Sequence, residues 1–422
     1  MTYKLPGICL LAALIMIFLL TVFPPPIHAE EPLSEAIYPT SNVGGYVYLN
    51  DEKIGFATFL IGQGYQLQSE DEHFYHVSFG NGLLYVDKNY AEKGSFLNPG
   101  KLPKGKSTVI PKKRIHVLSQ PQSGSPSLGY LNPDIRVPAI QKINGYYEIN
   151  FGGHKGYIAI SQTNPDNGIP VLMYHHVLHG KAVSEHADNN MAIEYIQFEE
   201  QMHYLKEYGW RTISMQQMED WLSFQSNLPD KVVAITFDDG ISSTVELAYP
   251  LLKKLDFIAT SFVITGKIRG SSDYWIASDL QYVGLKEIRN TTDVFDYQHH
   301  SDNMHLYQPG AKAGMFTTKS YDAIKQDLEN GKVQLGKAFS SDTARTKYLA
   351  YPFGHYNQTT IDAARDAGIH LAFTTMTGNV MLSDSPYELK RQGIAPYHSI
   401  IDFIHKLEGT YKQYKLDFTL SQ

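Results

Sequence analysis

The chain has very little cysteine: Cys9 is the only one in 422 residues. This scarcity excludes a fold held together by disulfide bonds. A basic surplus is also missing, because the formal net charge is -7. Proteins that bind nucleic acid present a basic face, so nucleic acid is not an expected partner. With 43% apolar and 19% charged residues, the composition is that of a globular protein, and the length predicts two or three domains.

The first residues follow the pattern of an export signal. Lys4 precedes an apolar run, Ile8–Phe23, and "PPPIHAE" then breaks the helix, with Ala29 as the expected cleavage point. We therefore expect residues 1–29 to be a signal peptide. An uncleaved membrane anchor is the alternative, because the apolar run is long for a signal. Either way, the predicted location is outside the cell, secreted or associated with the cell wall.

Two stretches in the first half of the chain are similar to each other. "FYHVSFGNGLLYV" (Phe74–Val86) and "YYEINFGGHKGYI" (Tyr146–Ile158) each read as strand, glycine turn and strand, the pattern of a β-hairpin. The repeat predicts a duplicated all-β module, with copies at 43–105 and 106–163. These copies resemble bacterial SH3-like modules. The resemblance implies a cell-wall glycan or peptide as their ligand.

The remaining residues, 170–422, alternate apolar strands with helical patterns. This alternation predicts an α/β domain built on a parallel sheet or a (β/α) barrel. In such folds the reactive groups lie at the carboxyl ends of the strands. The segment "ITFDDG" places Asp238 and Asp239 at such an end, although Asp-Gly is also a common turn after a strand.

A second polar cluster suggests a metal site. The loop "DYQHHSDNMH" follows a candidate strand and contains His299, His300 and His305. An aspartate such as Asp239 with two imidazoles, and open positions opposite, would form a catalytic site for a divalent metal. A solvated surface loop is the alternative for the histidines alone. The occurrence of both patterns in one domain favours the metal site.

Four motifs in order resemble those of the NodB-type polysaccharide deacetylases, the carbohydrate esterase family 4-like enzymes. They are "IPVLMYHHV", "ITFDDG", the loop centred on the His-Ser pair, and "YPFG". The resemblance covers residues 170–422 and implies a distorted (β/α) barrel. It also implies a divalent metal, zinc first with cobalt or nickel as alternatives. The implied activity is the removal of N-acetyl groups from N-acetylglucosamine units of a cell-wall glycan such as peptidoglycan.

The resemblance also implies roles for individual residues. Asp238 would be the general base, and Asp239 would be a metal ligand. His300 and His305 would complete the ligand set. Of the two adjacent histidines, we prefer His300 because Ser301 follows it, as in the family motif.

The last implied roles concern the third motif and the C-terminus. His398 would be the general acid, and the amide of Phe353 would hold the oxyanion. Two departures from the family pattern stand out: His305 arrives one residue late, and Ala350 stands where most members have an arginine. The residues expected to contact substrate or oxyanion are Tyr351, Pro352, Phe353 and Gly354.

Other functions remain open on the sequence alone. The late histidine resembles the poly-N-acetylglucosamine branch, so that exopolysaccharide is the alternative substrate. A wall-binding protein with an inactive deacetylase domain is a further alternative, because the arginine is missing. A metal site could also hydrolyse another bond, such as an ester or a peptide amide. An N-acetylated polysaccharide is the expected partner, and no protein partner is predicted.

Overall fold

The computed structural model describes residues 33–97, 100–270 and 275–420. The predicted signal peptide at 1–29 lies outside the described residues. Among the residues that are described, no helix is both long enough and apolar enough to span a membrane. The chain forms an all-β region followed by an α/β region, in the order that the sequence predicts.

The all-β region consists of short strands that pair almost entirely in antiparallel fashion. Short 3-10 turns at 88–90 and 160–162 follow the two predicted hairpins. The strands are β1 (Leu33–Pro39), β2 (Val43–Leu49), β3 (Glu52–Phe59), β4 (Tyr65–Glu70), β5 (Phe74–Phe79), β6 (Gly82–Asp87), β7 (Ala91–Leu97), β8 (Ser107–Pro111), β9 (Ile115–Leu118), β10 (Ser127–Leu131), β11 (Val137–Ala139), β12 (Gln141–Ile143), β13 (Tyr146–Phe151), β14 (His154–Ala159) and β15 (Thr163–Pro165).

The two copies of the repeat pack against each other around a local two-fold axis. Hairpins β5–β6 and β13–β14 have the same register, and Phe79 at the end of β5 pairs with Phe151 at the end of β13. Strand β3 also pairs with β10, which is its equivalent in the second copy. One hydrophobic core takes side chains from both copies. They are therefore halves of one folded unit.

The first copy extends upstream of the predicted start at residue 43. Strand β1 pairs with β7 along its whole length, from Leu33 opposite Leu97 to Pro39 opposite Ala91. Burial of Ala36 and Ile37 ties β1 into the unit. The sequence pattern does not mark β1 as a strand, because it contains only a short apolar stretch.

The α/β region follows from residue 171. Its strands are β16 (Val171–Tyr174), β17 (His176–Leu178), β18 (Ala192–Glu194), β19 (Arg211–Thr212), β20 (Val232–Phe237), β21 (Ala259–Val263), β22 (Phe295–His299), β23 (Tyr348–Ala350), β24 (Leu371–Thr377) and β25 (Leu389–Gly393). Its helices are α1 (Lys181–Glu185), α2 (Tyr195–Glu207), α3 (Met215–Leu222), α4 (Tyr249–Lys254), α5 (Leu285–Asn290), α6 (Tyr321–Gly336), α7 (Gln358–Asp366), α8 (Ile400–Leu407) and α9 (Tyr411–Leu420).

Strands of this region close into a parallel barrel. Strands β20 to β25 pair in chain order, and β16 pairs with both β25 and β20, which completes the ring. Every residue of β20 is buried, as expected for a strand with one face in the barrel and the other under helices. The predicted (β/α) barrel is confirmed.

The all-β unit is fixed to the amino ends of the barrel strands. Leu49 packs in the same hydrophobic cluster as Trp221 of α3. The buried guanidinium of Arg136 lies 3.0 Å from the Asp166 carboxylate and also donates to the carbonyl of Pro229, just before β20. The carboxyl ends of the strands, where Asp238 follows β20, lie at the opposite end of the barrel.

Candidate active site

Asp239, His300 and His305 meet at the carboxyl ends of β20 and β22. The Nε2 atoms of His300 and His305 lie 3.4 Å and 3.5 Å from Oδ1 of Asp239, and the three ligand atoms are all within 4.8 Å of one another. Oδ1 of Asp239 is buried and has no hydrogen-bond partner. Buried polar atoms normally have one. A divalent cation would satisfy this oxygen, so the residues present fit the predicted metal.

A main-chain carbonyl orients the first histidine of this set. Nδ1 of His300 lies 2.7 Å from the carbonyl oxygen of Ala350. A carbonyl can only accept, so Nδ1 carries a proton, and this hydrogen bond fixes the ring with Nε2 facing Asp239. Burial opposes a charge on this ring, but the carboxylates of Asp238 and Asp239 raise the pKa of His300. Ala350 stands where most family members have an arginine. Its backbone carbonyl, and not its side chain, orients His300.

The charges in this cluster suit a metal site. Burial opposes ionisation of Asp239, but the surrounding histidines hold the pKa of its carboxyl well below the usual range. Burial lowers the pKa of His305 to about 4. At neutral pH, Asp239 is therefore ionised and His305 is neutral, which are the forms that bind a metal ion.

The adjacent histidine takes no part in the cluster. His299 is fully buried, and its Nε2 donates to the carbonyl of Leu328 on α6 at 3.0 Å. The structure thus places His300, and not His299, beside Asp239. Successive residues at a strand end point in different directions, so only one of the pair can face the site.

Asp238 is held by a buried arginine. Its two carboxylate oxygens each accept a hydrogen bond from Arg391 at 2.7 Å, and Arg391 also donates to the carbonyl of Thr374 at 2.9 Å. Burial acts to raise the pKa of Asp238, but the Arg391 charge outweighs it and the pKa lies below its ordinary value. Arg391 thus supplies, from β25, the cation that Ala350 cannot supply.

Sequence reasoning gave Arg391 no role. It lies in "LKRQG", which is too polar to be recognised as a barrel strand. Only the topology indicates a strand here. A closed barrel needs one more strand after β24 to pair with β16, and β25 is that strand. Arg391 is fully buried in that strand because its charge is paired with Asp238.

A different histidine from the predicted one lies beside Asp238. His175, just after β16, has Nε2 4.0 Å from Oδ2 of Asp238, and its Nδ1 is buried without a partner. His398 lies after β25, where its Nδ1 accepts from the Ala395 amide at 2.9 Å and its ring contacts Tyr411. The structure therefore brings His175, and not His398, next to Asp238.

The "YPFG" segment divides between core and site. Tyr351 is buried, and its hydroxyl donates to the carbonyl of Tyr387 at 3.1 Å. Pro352 is buried as well. Gly354 has a positive φ of 70°, and a Cβ there would collide with Thr375. These three residues shape the turn, and only Phe353 presents its side chain to the metal ligands.

Phe353 belongs to an aromatic row that leads outward from the metal ligands. We use this name for His305, Phe353 and Tyr307. Phe353 contacts His305 at a centroid distance of 4.4 Å and stacks on Tyr307 at 4.1 Å with an interplanar angle of 20°. Tyr307 is 51% exposed. The outer end of the row is thus an aromatic face open to solvent, which suits stacking on a sugar ring.

Three loops of the site each contain a non-glycine residue with positive φ: Asp239 at 72°, Ser301 at 68° and Phe353 at 60°. Such conformations cost free energy and persist where the surrounding structure enforces them, commonly at functional sites. Because all three lie around the same site, the surrounding fold must hold these three loops in strained backbone conformations.

A carboxylate base beside a site for a divalent cation is the chemistry of the metal-dependent hydrolases. Comparison with known proteins identifies the family within this broad class. Residues 225–372 match the family described as polysaccharide deacetylase. That span includes Asp238, Asp239 and both histidine ligands, and it ends before Arg391. This part of the chain is a polysaccharide deacetylase domain, as the motifs predicted.

Individual relatives agree with this assignment. The chain is 27% identical over 235 residues to YxkH of Bacillus subtilis (strain 168), whose name places it among polysaccharide deacetylases; the match covers 56% of this chain and 74% of the relative. It is 26% identical over 204 residues to the poly-β-1,6-N-acetyl-D-glucosamine N-deacetylase of Staphylococcus aureus (strain MRSA252), covering 48% of this chain and 67% of that protein.

A solved structure is also similar. The Streptococcus pyogenes deacetylase PplD in complex with acetate is 29% identical, and the superposition covers 57% of this chain and 98% of that one with a TM-score of 0.49. The strand pairing described above supports the barrel directly.

Proposed function

We propose that this protein removes N-acetyl groups from N-acetylglucosamine units of a cell-wall glycan such as peptidoglycan. One observation carries the proposal: the Asp238–Arg391 pair lies beside the Asp239, His300 and His305 donor set within a polysaccharide deacetylase domain. The intact donor set and the relocated arginine argue against the alternative of an inactive domain.

Asp239, His300 and His305 would hold the metal ion, zinc first with cobalt or nickel as alternatives. A divalent cation in such a site lowers the pKa of water and polarises the oxygen of an acyl group. The carboxylate of Asp239 is ionised, and the Ala350 carbonyl fixes the orientation of the His300 ring that would bind the ion.

The chain's own residues complete the reaction. Asp238, kept ionised and fixed in orientation by Arg391, accepts a proton from the attacking water as the new C–O bond forms. Burial lowers the pKa of His175, so this imidazole is neutral until it receives the proton that Asp238 has accepted. His175, whose Nε2 lies 4.0 Å from Asp238, then donates that proton to the nitrogen as the C–N bond breaks, which releases acetate and a free amine. The backbone N–H of Phe353 is proposed to donate to the oxyanion.

The identity of the glycan has two candidates. Peptidoglycan is favoured by the all-β unit in front of the barrel, if this unit binds the cell wall as proposed below. Poly-β-1,6-N-acetylglucosamine is favoured by a specific observation, the 26% identity to a staphylococcal deacetylase named for that polymer. Both candidates present the same acetamide to the site, and they differ only in the chain that carries it.

The all-β unit and the location of the protein extend the proposal. The unit is proposed to be a pair of SH3-like modules that bind a cell-wall glycan or peptide. Duplicated hairpins, each followed by a 3-10 turn and a strand, support this. The protein is proposed to act outside the cell, secreted, wall-associated or held by an uncleaved N-terminal segment.

The test is acetate release by the purified protein with zinc or cobalt. Substrates are N-acetylglucosamine oligomers, poly-N-acetylglucosamine, peptidoglycan and, for the alternative bonds, acetylxylan and muropeptides. Release that requires metal and disappears in Asp238→Asn and in His305→Ala would support the proposal, and the best substrate would identify the glycan. Metal binding without release from any N-acetylated glycan would refute it.

A further inference from the structure

We propose that Asp327 of α6 is a positioning residue that sets the shape of the metal-binding loop between His300 and His305. The inference deepens the proposed function and rests on it, because the loop is assigned to metal binding there. Asp327 itself reaches neither the metal donors nor the substrate face, and it acts through the loop backbone.

The contacts are specific. Asp327 is 6% exposed. Its Oδ2 accepts a hydrogen bond from the amide of Asp302 at 2.9 Å, and its Oδ1 accepts one from the amide of Asn303 at 2.8 Å. One carboxylate thus binds consecutive amides in the middle of the loop. Four residues separate His300 from His305, and this contact turns the chain back so that both rings reach Asp239.

The position of Asp327 is unfavourable for the fold alone. Burial raises the pKa of its carboxyl to about 6, although loop amides oppose the rise. Within the described part of the chain, Asp327 forms no salt bridge. A buried carboxylate held only by backbone amides costs stability. Perturbed carboxylates of this kind cluster at functional sites, and the loop that Asp327 holds is such a site.

The same helix holds the start of the loop. The Leu328 carbonyl accepts from His299, the residue before His300. Gly331 lies one turn further along α6, where a Cβ would collide with the His299 ring. Helix α6 therefore fixes the chain on one side of His300 through His299 and on the other side through Asp327.

A second element, which lies next to α6, also holds the loop. Thr265, just after β21, donates from Oγ1 to Oδ1 of Asp302 at 2.8 Å, and its amide donates to the carbonyl of Ser301 at 3.0 Å. These contacts enforce the positive φ of Ser301. Thr265 and Asp327 together fix residues 301–303 of the loop, and removing Asp327 releases the half that leads to His305.

The test compares Asp327→Ala and Asp327→Asn with two controls on the same helix. Ile324→Val removes one buried methyl group and so controls for a general loss of stability. Asp322→Ala removes an exposed carboxylate of the first turn. Zinc affinity is measured by chelator competition without substrate, and hydrogen exchange of the 300–305 segment is followed in the metal-free protein.

We expect Asp327→Ala to lose about 10- to 100-fold in zinc affinity, the usual effect of removing a group that orients metal ligands. Amide exchange in the 300–305 segment should accelerate, and KM for glycan should stay unchanged. The zinc affinity of Asp327→Asn should lie between those of the wild type and Asp327→Ala. Both controls should bind zinc like the wild type. Wild-type zinc affinity and exchange in Asp327→Ala would overturn the inference.

Two further outcomes are decisive. If Asp327→Ala does not fold, Asp327→Asn carries the test, and wild-type zinc affinity in that variant would overturn the inference. If the wild type binds zinc in an Asp327-dependent way but deacetylates no glycan, the inference holds and the proposed function fails.

Discussion

Replacement of Arg391 by methionine tests how the general base is kept active. The substitution removes the guanidinium and keeps apolar volume. It breaks two 2.7 Å hydrogen bonds to Asp238 and leaves that carboxylate buried without its partner. Breaking a buried pair in this way costs about 3–5 kcal/mol of stability. Asp238 can reduce the cost by taking up a proton.

The size of the effect follows from the burial. Full burial raises the pKa of an unpaired carboxylate by up to about 3–5 units. Without the Arg391 charge, burial therefore moves the pKa of Asp238 above its ordinary value and towards neutral pH. At pH values well below the raised pKa, Asp238 is protonated in Arg391→Met, and kcat/KM should fall there by about 10²- to 10⁴-fold, the contribution of general base catalysis.

The assay is kcat/KM for acetate release from pH 5 to 9 with saturating zinc. The acid limb of the profile should move to higher pH in Arg391→Met, with activity partly recovered at pH 9. Arg136→Met is the matched control, because Arg136 is equally buried and pairs with Asp166 at 3.0 Å, far from the site. The control should lose stability and keep the wild-type profile. An unchanged acid limb in Arg391→Met would refute the role given to Arg391.

Three further predictions follow from the site. His175→Ala should lower kcat by about 10²-fold or more, whereas His398→Ala should stay within about twofold of wild type; the reverse order would restore His398 as the acid. Tyr307→Ala should raise KM for glycan oligomers at nearly constant kcat, because stacking binds ground state and transition state alike; a fall in kcat alone would contradict this. The folded pKa of Asp327, about 6, lies above its ordinary 3.8, so the folded state holds the extra proton between these values and gains stability as pH falls through this window. The thermal midpoint of the metal-free protein should show this gain relative to Asp327→Asn, and parallel curves for the two proteins would contradict it.

Local patterns in the sequence determined a large part of this protein. Strand and helix periodicity predicted the barrel, and the repeat predicted both hairpins of the all-β unit. "ITFDDG" and the histidine loop predicted which side chains converge, because the carboxyl ends of the parallel strands of one barrel all lie at the same end. The structure places Asp239, His300 and His305 together there. These features could be predicted because each depends on residues that are close together in the sequence.

Only the tertiary structure decided which distant residues complete the site. Arg391 lies 153 positions from Asp238, in a polar segment that no hydrophobic pattern marks as a strand. It can be buried only because a carboxylate from another strand neutralises it. His175 reaches the same carboxylate because β16 lies between β20 and β25 in the closed barrel. The two β copies likewise share one core because their equivalent strands pair across a local two-fold axis. Pairing between strands that are far apart in the sequence does not produce a local sequence pattern.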